Sequence, residues 1–319
     1  MKGFEKVFNE KAALLSLILI VVLSISLLGQ ESKTVLKGPW FGQKPPGMIP
    51  EIFTPGFIST GARELNSAFT PDGKEFYFSI STPGKGYRMY YSKQTAEGWT
   101  EPQKVSFSGE YSDVDMFITK DGNRMYFGSI RPVNGARSDF KIWYVDRIKG
   151  RWSKPKYFDT PVNNMKRSLY VTVSDKGTMY FQGIRDDSFG DRDIYYSEFI
   201  DGKYTEPKHL GKEINSEYGE GDVLIAPDES YMIVNIVGRS DSFGDGDLYI
   251  SFKQTDGTWS DLKNMGSPIN SAESDYCPML SPDGNYFFFT STRTGNGDIY
   301  WVDANIIEDL RKQAFNIEK

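Results

Sequence analysis

SPDGNYFFFTSTRTGNGDIYW, residues 281–301, is the stretch that decides the fold. It joins a Pro-Asp-Gly turn, an aromatic run, a polar loop with glycines and a second aromatic run, which is strand, turn, strand, loop and strand in one line. The same order recurs upstream. Arg131, Arg185, Arg239 and Arg293 stand 54 residues apart, each closing an apolar run: MYFGSIR, MYFQGIR, MIVNIVGR and FFFTSTR. Asp121, Asp175 and Asp283 keep the same period in the turns KDG, DKG and PDG, with PDG again at 71–73 and PDE at 227–229. Five copies result.

Each copy opens on a short strand (SAFTPDG, DMFITKDG, LYVTVSDKG, DVLIAPDE, CPMLSPDG), turns tightly into an aromatic strand, and reaches a third strand such as RMYYS or DIYYS. A hairpin leads to a fourth: WTEPQKV, WSKPKYF, YTEPKHL or WSDLKNM. Four strands in about 50 residues form a propeller blade. The fifth copy ends at DIYWVDANII without a fourth strand, and residues 51–66, EIFTPGFISTGARELN, match the apolar positions of KHLGKEINSEYGEGD in copy three. The expectation is an all-β chain: a five-bladed β-propeller of four-stranded antiparallel blades, the last blade closed by an N-terminal strand, which leaves no open sheet edge. The organisation read is residues 1–29 as a signal peptide or N-terminal anchor, 30–50 as a linker, 51–303 as the propeller and 304–319 as a C-terminal tail. In that tail Ile306, Ile307, Leu310 and Phe315 fall at helical spacing, so a short amphipathic helix docked on the last blade is expected.

The SPDG turn, the aromatic strand after it and the D-I-Y strand resemble the TolB-like class of WD-type β-propeller repeats, over roughly residues 51–303. That class includes periplasmic scaffold and envelope proteins. The resemblance implies architecture more than activity.

Composition narrows the function classes. Aromatic residues make up 15% of 319 residues and 31 are glycine, which suits many short strands. The formal charge is −6, and removal of the first 29 residues, with three Lys and two Glu, leaves −7. A domain this acidic without a basic stripe excludes nucleic-acid partners. Lys2, Lys6 and Lys11 precede the apolar run AALLSLILIVVLSISLLG, which reads as a secretory signal and gives a periplasmic or secreted protein; uncleaved, the same run would be the one membrane contact. Cys277 is the only cysteine, so an intrachain disulfide and a cysteine zinc site are excluded. A monomer is expected, with an envelope glycan, peptide or protein as partner.

Blade strands alternate direction, so the PDG turns and short hairpins share one face, expected to be inert, and the long loops and blade-to-blade links share the other. Long polar loops over a rigid scaffold are where binding concentrates. On that face the links place Glu64, Asp113, Asp115, Arg167, Glu220, Asp222 and Asp275 around the channel mouth, with Arg131, Arg185, Arg239 and Arg293 further out. Arginines recognise carboxylates bidentately, and Tyr111, Tyr170, Tyr218 and Tyr276 would stack on sugar or peptide. Against this, arginines repeating with the blade also suit ties between blade elements. The function expected is a non-catalytic binding or scaffold protein; the alternative is a glycoside hydrolase or polysaccharide lyase working on carboxylates alone, with Asp113, Glu220 and Asp275 as its set.

RDDSFGDRDIYYS at 185–197 and RSDSFGDGDLYIS at 239–251 are near copies. Asp241, Asp245 and Asp247 around Gly244 and Gly246 suggest calcium, but the spacing lacks the EF-hand pattern. The final Asp of each loop (Asp193, Asp247, Asp298) recurs with the blade, so a carboxylate fixing the turn through backbone N–H groups is the stronger reading. No cofactor is otherwise implied. His209, the one histidine, reads as a strand residue rather than a catalytic base, and Trp99, Trp152, Tyr204 and Trp259, one per blade, read as packing.

Overall fold

The computed structural model describes residues 35–315, so the segment 1–29 and its secretory reading lie outside the described residues. Two units separate, 1–36 and 37–319; of the first only Val35 and Leu36 are described. The second unit is a five-bladed propeller.

From the channel outward, blade one is Arg63–Phe69, Glu75–Thr82, Gly86–Lys93 and Gln103–Lys104. Blade two is Asp113–Ile118, Arg124–Ser129, Lys141–Ile148 and Lys156–Tyr157; blade three is Arg167–Val173, Met179–Ile184, Asp193–Ser197 and Lys208–His209. Blade four is Gly219–Ile225, Tyr231–Val237, Gly246–Phe252 and Lys263–Asn264. Blade five has Asp275–Leu280, Tyr286–Ser291 and Asp298–Asp303 from the end of the chain, and takes its outer strand, Glu51–Ile52, from the beginning. Glu51 faces Trp301 and Ile52 faces Tyr300. The inner strands neighbour one another around a closed ring, the fifth returning to the first, as the repeat count requires.

The turns explain the period. Asp72, Asp121 and Asp283 each accept the hydroxyl two residues earlier (Thr70, Thr119, Ser281) at 2.6 Å. Each also accepts the backbone N–H two residues later, so a short carboxylate stands in for backbone partners that a tight turn lacks. Between blades apolar side chains of the first three strands and of the outer hairpin fill the gaps: Tyr77, Met116, Phe127 and Val145 between one and two, and Tyr180, Val223, Val234 and Trp259 between three and four.

Blades five and one meet at a denser seam. Phe53, Phe69, Phe76, Phe288 and Trp301 pack there, and Trp40 reaches Phe69 and Tyr286 at 5.1 and 5.2 Å. Phe41 stacks on Trp99 at 3.9 Å. The Gly38 carbonyl accepts both Trp99 Nε1 and Gln94 Nε2 at 2.8 Å. The stretch read as a linker therefore carries core residues, and its aromatic pairs contribute about 0.5–1.5 kcal/mol each beyond area burial.

Two local differences from the sequence reading have plain causes. The outer strands are only two residues long, and the Trp before them pairs back onto the third strand, Gln94 with Trp99 and Lys253 with Trp259; alternation alone merges hairpin and strand. The C-terminal helix, α1 (Asn305–Ala314), buries Ile306 and Ile307, yet it docks on blade four rather than the last blade. Arg311 lies 4.8 Å over the Phe252 ring and donates to Ser230 Oγ at 3.3 Å. The third strand of blade five delivers the chain to the tight-turn face beside Ser230, and Phe252 is the apolar surface within reach. Among the described residues no helix is long and apolar enough to cross a membrane.

Candidate functional site

Every inner strand breaks register once: between Leu65 and Ser67, Val114 and Phe117, Leu169 and Thr172, Glu220 and Val223, and Tyr276 and Met279. A bulge leaves a residue unpaired and re-aims its side chain. Asn66, Asp115, Tyr170 and Cys277 occupy these breaks with φ of 58, 57, 49 and 54°, a left-handed backbone costing about 1–3 kcal/mol each. Blade four has Gly221 and Asp222 there. Their side chains bolt blades together. Asn66 Oδ1 accepts Met116 N at 3.1 Å, Asp222 Oδ2 accepts Cys277 N at 3.0 Å, and the Tyr170 hydroxyl donates to Pro278 O at 2.8 Å.

Two carboxyls meet in this plug. Burial pushes Asp115 well above the carboxylate range, the neighbouring Asp222 raises it further, and Arg167 pulls it back. Burial also raises Asp222, against donors from Cys277 and the charges of Arg192 and Arg167. Burial and both carboxyls push the Cys277 thiol up, so it stays protonated and inert. Burial raises the Tyr87 and Tyr276 phenols, the charges of this cluster add to the rise, and Arg63 opposes it. Arg167 lies 5.4 Å from the Phe140 ring. Its Nε and the Asn66 Nδ2 are buried without a protein acceptor.

The structure thus brings together Asp115, Arg167, Asp222 and Tyr276 of the expected mouth. It engages the other expected residues locally. Glu64, Asp113, Glu220 and Asp275 open the inner strands and are 0% exposed. Three of them accept a hydroxyl from the link four residues back: Glu64 from Thr60 at 2.5 Å, Asp275 from Ser271 at 2.8 Å, and Glu220 from Ser216. Asp113 is held bidentately by Arg131, and Asp275 accepts Arg293 at 2.9 Å. Asp113, Glu220 and Asp275 are therefore separate anchors in three blades, not a facing set. Among the described residues no arginine pairs with Glu64 or Glu220; burial raises both, Glu220 to about 7, and their Oε2 atoms have no partner there.

The four periodic arginines act as ties, Arg185 and Arg239 while staying partly exposed. Arg131 donates to Phe107 O at 2.6 Å and Arg293 to Pro268 O at 3.2 Å, each on the preceding link. Arg185 and Arg239 reach Pro207 O and Leu262 O beside their own outer strands, at 3.1 and 3.4 Å, and pair with Asp187 and Asp241, both at 2.9 Å.

The twin loops share one scheme. Asp193 accepts Phe189 N and Gly190 N at 2.7 and 3.3 Å, and Asp247 accepts Phe243 N and Gly244 N at 2.7 and 3.2 Å. N–H groups aimed at a carboxylate repel a cation, and Asp241 is taken by Arg239 and the Tyr249 hydroxyl. Asp241, Asp245 and Asp247 form no metal cluster; among the described residues no group of three His, Cys, Asp or Glu does. His209 Nε2 meets Asp193 at 2.6 Å and its Nδ1 accepts Gly211 N at 3.1 Å. In blade four Asn264 does the same work, Nδ2 to Asp247 at 2.7 Å and Oδ1 from Gly266 N at 2.8 Å. His209 therefore takes in blade three the place that the Asn264 amide takes in blade four.

The tight-turn face, expected to be inert, is not flat. A cavity of about 1000 Å³ opens there, lined from all five blades by residues such as Phe69, Phe117, Val173, Ile225 and Met279, with Lys120 paired to Asp175 among its lining residues. A second, of about 530 Å³, lies beside Arg131, Trp152 and Glu110.

No family model matches the chain, and no curated protein does. Among solved structures it is similar to the putative TolB from Agrobacterium tumefaciens at 19% identity and a TM-score of 0.49, covering 72% of this chain and 70% of that one. It is similar to a glycoside hydrolase at 12% identity and a TM-score of 0.52, covering 84% and 92%, and to the endo-arabinase from Bacteroides thetaiotaomicron at 11% and 0.52, covering 82% and 97%. Identities this low show the fold alone. The fold defines the chain as a five-bladed β-propeller.

Proposed function

We propose that this propeller is a secreted or periplasmic, monomeric, non-catalytic binding protein that holds an envelope glycan or peptide on its long-loop face. The observation carrying the proposal is the mouth cluster, where the partly exposed Arg167 stands beside the Asp115 and Asp222 carboxyls. A guanidinium held at a rim and still partly open to solvent suits an external acceptor. Catalysis is disfavoured because Asp113 and Asp275 are neutralised by arginines and Glu220 is closed off from solvent. Secretion rests on the segment 1–29.

The test is equilibrium binding of the purified chain to soluble polysaccharides and peptidoglycan fragments, arabinan included because an endo-arabinase shares the fold. Arg167→Ala is expected to weaken binding about 10-fold, equal to about 1.4 kcal/mol. Binding to no member of the panel sinks the proposal. One observation favours the hydrolase reading: two carboxyls, Asp115 and Asp222, are both raised by burial in one cluster, where Asp222 raises Asp115 further. Release of reducing ends from any panel polymer, abolished by Asp222→Asn, would establish it instead.

A further inference from the structure

The folding of the twin loops leaves one of their features unexplained. Phe189 and Phe243 give their backbone N–H to Asp193 and Asp247, a bond that any residue other than proline supplies. Yet both positions carry phenylalanine, with 55% and 56% of the residue exposed. The backbone that carries the rings is held in place, and Phe189 also packs edge-on against His209 at 4.5 Å. Gly190 and Gly244, next in the chain, press on the carbonyl oxygens of Tyr218 and Glu273, where a Cβ would sit at 1.7 and 1.9 Å. Each loop is therefore wedged against the following link. Each also offers a partly exposed ion pair, Arg185 with Asp187 and Arg239 with Asp241. The connecting loops of blades one and five, TPGKGYRMYYS and RTGNGDIYW, carry no SFGD element, and neither does RPVNGARSDFK of blade two.

We propose that the two loops are equivalent subsites for successive units of a repeating glycan chain. This rests on the long-loop face being the binding face, and it names the ligand class and the residues that grip it. Two copies of one chemistry, at a separation fixed by adjacent blades, match a ligand presenting the same group twice at a fixed repeat. A glycan polymer does so by construction, and a peptide only if its sequence repeats. The ring covers the C–H face of a sugar while guanidinium and carboxylate take its hydroxyl or acidic groups. Two weak contacts joined through one polymer gain affinity through effective concentration.

The experiment measures binding of the purified full chain to arabinan, polygalacturonate and peptidoglycan glycan strands, and to their oligomers of increasing length. It compares wild type, Phe189→Ala, Phe243→Ala, the double variant and Arg167→Ala. Affinity is expected to climb with oligomer length and then level off once both loops are spanned. Each single phenylalanine variant is expected to lose about 10-fold, the double variant to lose the length dependence, and both singles to keep Tm within about 2 °C, since the rings are at the surface. A polymer bound by wild type and lost in Arg167→Ala but unaffected in the double phenylalanine variant overturns the subsites and leaves the binding face standing. Wild type that binds no polymer but captures a non-repeating peptide overturns the glycan assignment. Wild type that binds neither overturns both readings.

Discussion

Replacing Glu220 with glutamine changes one proton equilibrium and almost no volume. In the native chain the carboxyl is 0% exposed, accepts the Ser216 hydroxyl on Oε1, and has nothing on Oε2. Burial lifts it from 4.5 to about 7 against the pull of that hydroxyl. Well below pH 4.5 folded and unfolded chains both hold the proton, and the residue costs nothing. Between 4.5 and about 7 the unfolded chain ionises while the native state keeps its proton, so stability falls as pH rises, and above about 7 the whole penalty stands. At about 1.4 kcal/mol for each pH unit of that window, the penalty is about 3 kcal/mol. Glutamine imitates the protonated acid: Oε1 still accepts Ser216, and Nε2 takes the unpartnered place.

Urea unfolding of wild type and Glu220→Gln is expected to give equal stabilities, within about 0.5 kcal/mol, at about pH 4, and a variant more stable by about 3 kcal/mol at about pH 8. Equal stabilities at both pH values refute the assignment of Glu220 as a buried, unneutralised acid. A variant weaker at about pH 8 would place an ionised carboxylate with a bonded Oε2 in the native state.

Blade four supplies a control for blade three: His209→Asn, copying Asn264, is expected to stay within about 1 kcal/mol of wild type, while His209→Ala strands Asp193 and the Gly211 N–H and costs about 1–3 kcal/mol by urea titration. Gly244→Ala puts a methyl group 1.9 Å from the Glu273 carbonyl and is expected to cost more than about 2 kcal/mol, seen as a lowered Tm. Arg131→Ala leaves Asp113 buried and unpaired and is expected to cost about 3–5 kcal/mol, whereas Lys312→Ala, whose partner Asp309 is half exposed, is expected to change stability by less than about 1 kcal/mol.

The fold was legible because its determinants repeat. An aspartate in the tight turn and an aromatic strand recur with the blade, and a tying arginine recurs in four of the five, so the 54-residue period exposes them. That same property misdirects a search for the site. The arginines, and the acids that open the inner strands, are polar residues at regular places on the binding face, which is how a ligand ring would also look. Their regularity has a mechanical origin, because each acid accepts a link hydroxyl or a guanidinium and so fixes the entry of an inner strand.

Of the channel residues, Asp115, Tyr170 and Asp222 are among those expected at the mouth, whereas Asn66, Cys277 and the bulge they share escape for the opposite reason. Asn66, Asp115, Tyr170 and Cys277 hold equivalent left-handed bulge positions, but they are four different residue types, and blade four uses Gly221 and Asp222. No periodicity links them, and a bulge in a strand of alternating residues leaves no mark in composition. Side chains that vary where the backbone does not are the part of a propeller free to be specific, because the blade needs only the conformation there. By the same logic the twin phenylalanines stand out: they repeat in two blades of five, too seldom for a structural rule and too regularly for chance filling of a loop. The residues that distinguish this propeller are thus found by subtracting what every blade requires, and what remains is the Asp115 and Asp222 plug with Arg167 above it and the two exposed rings on the wall of blades three and four.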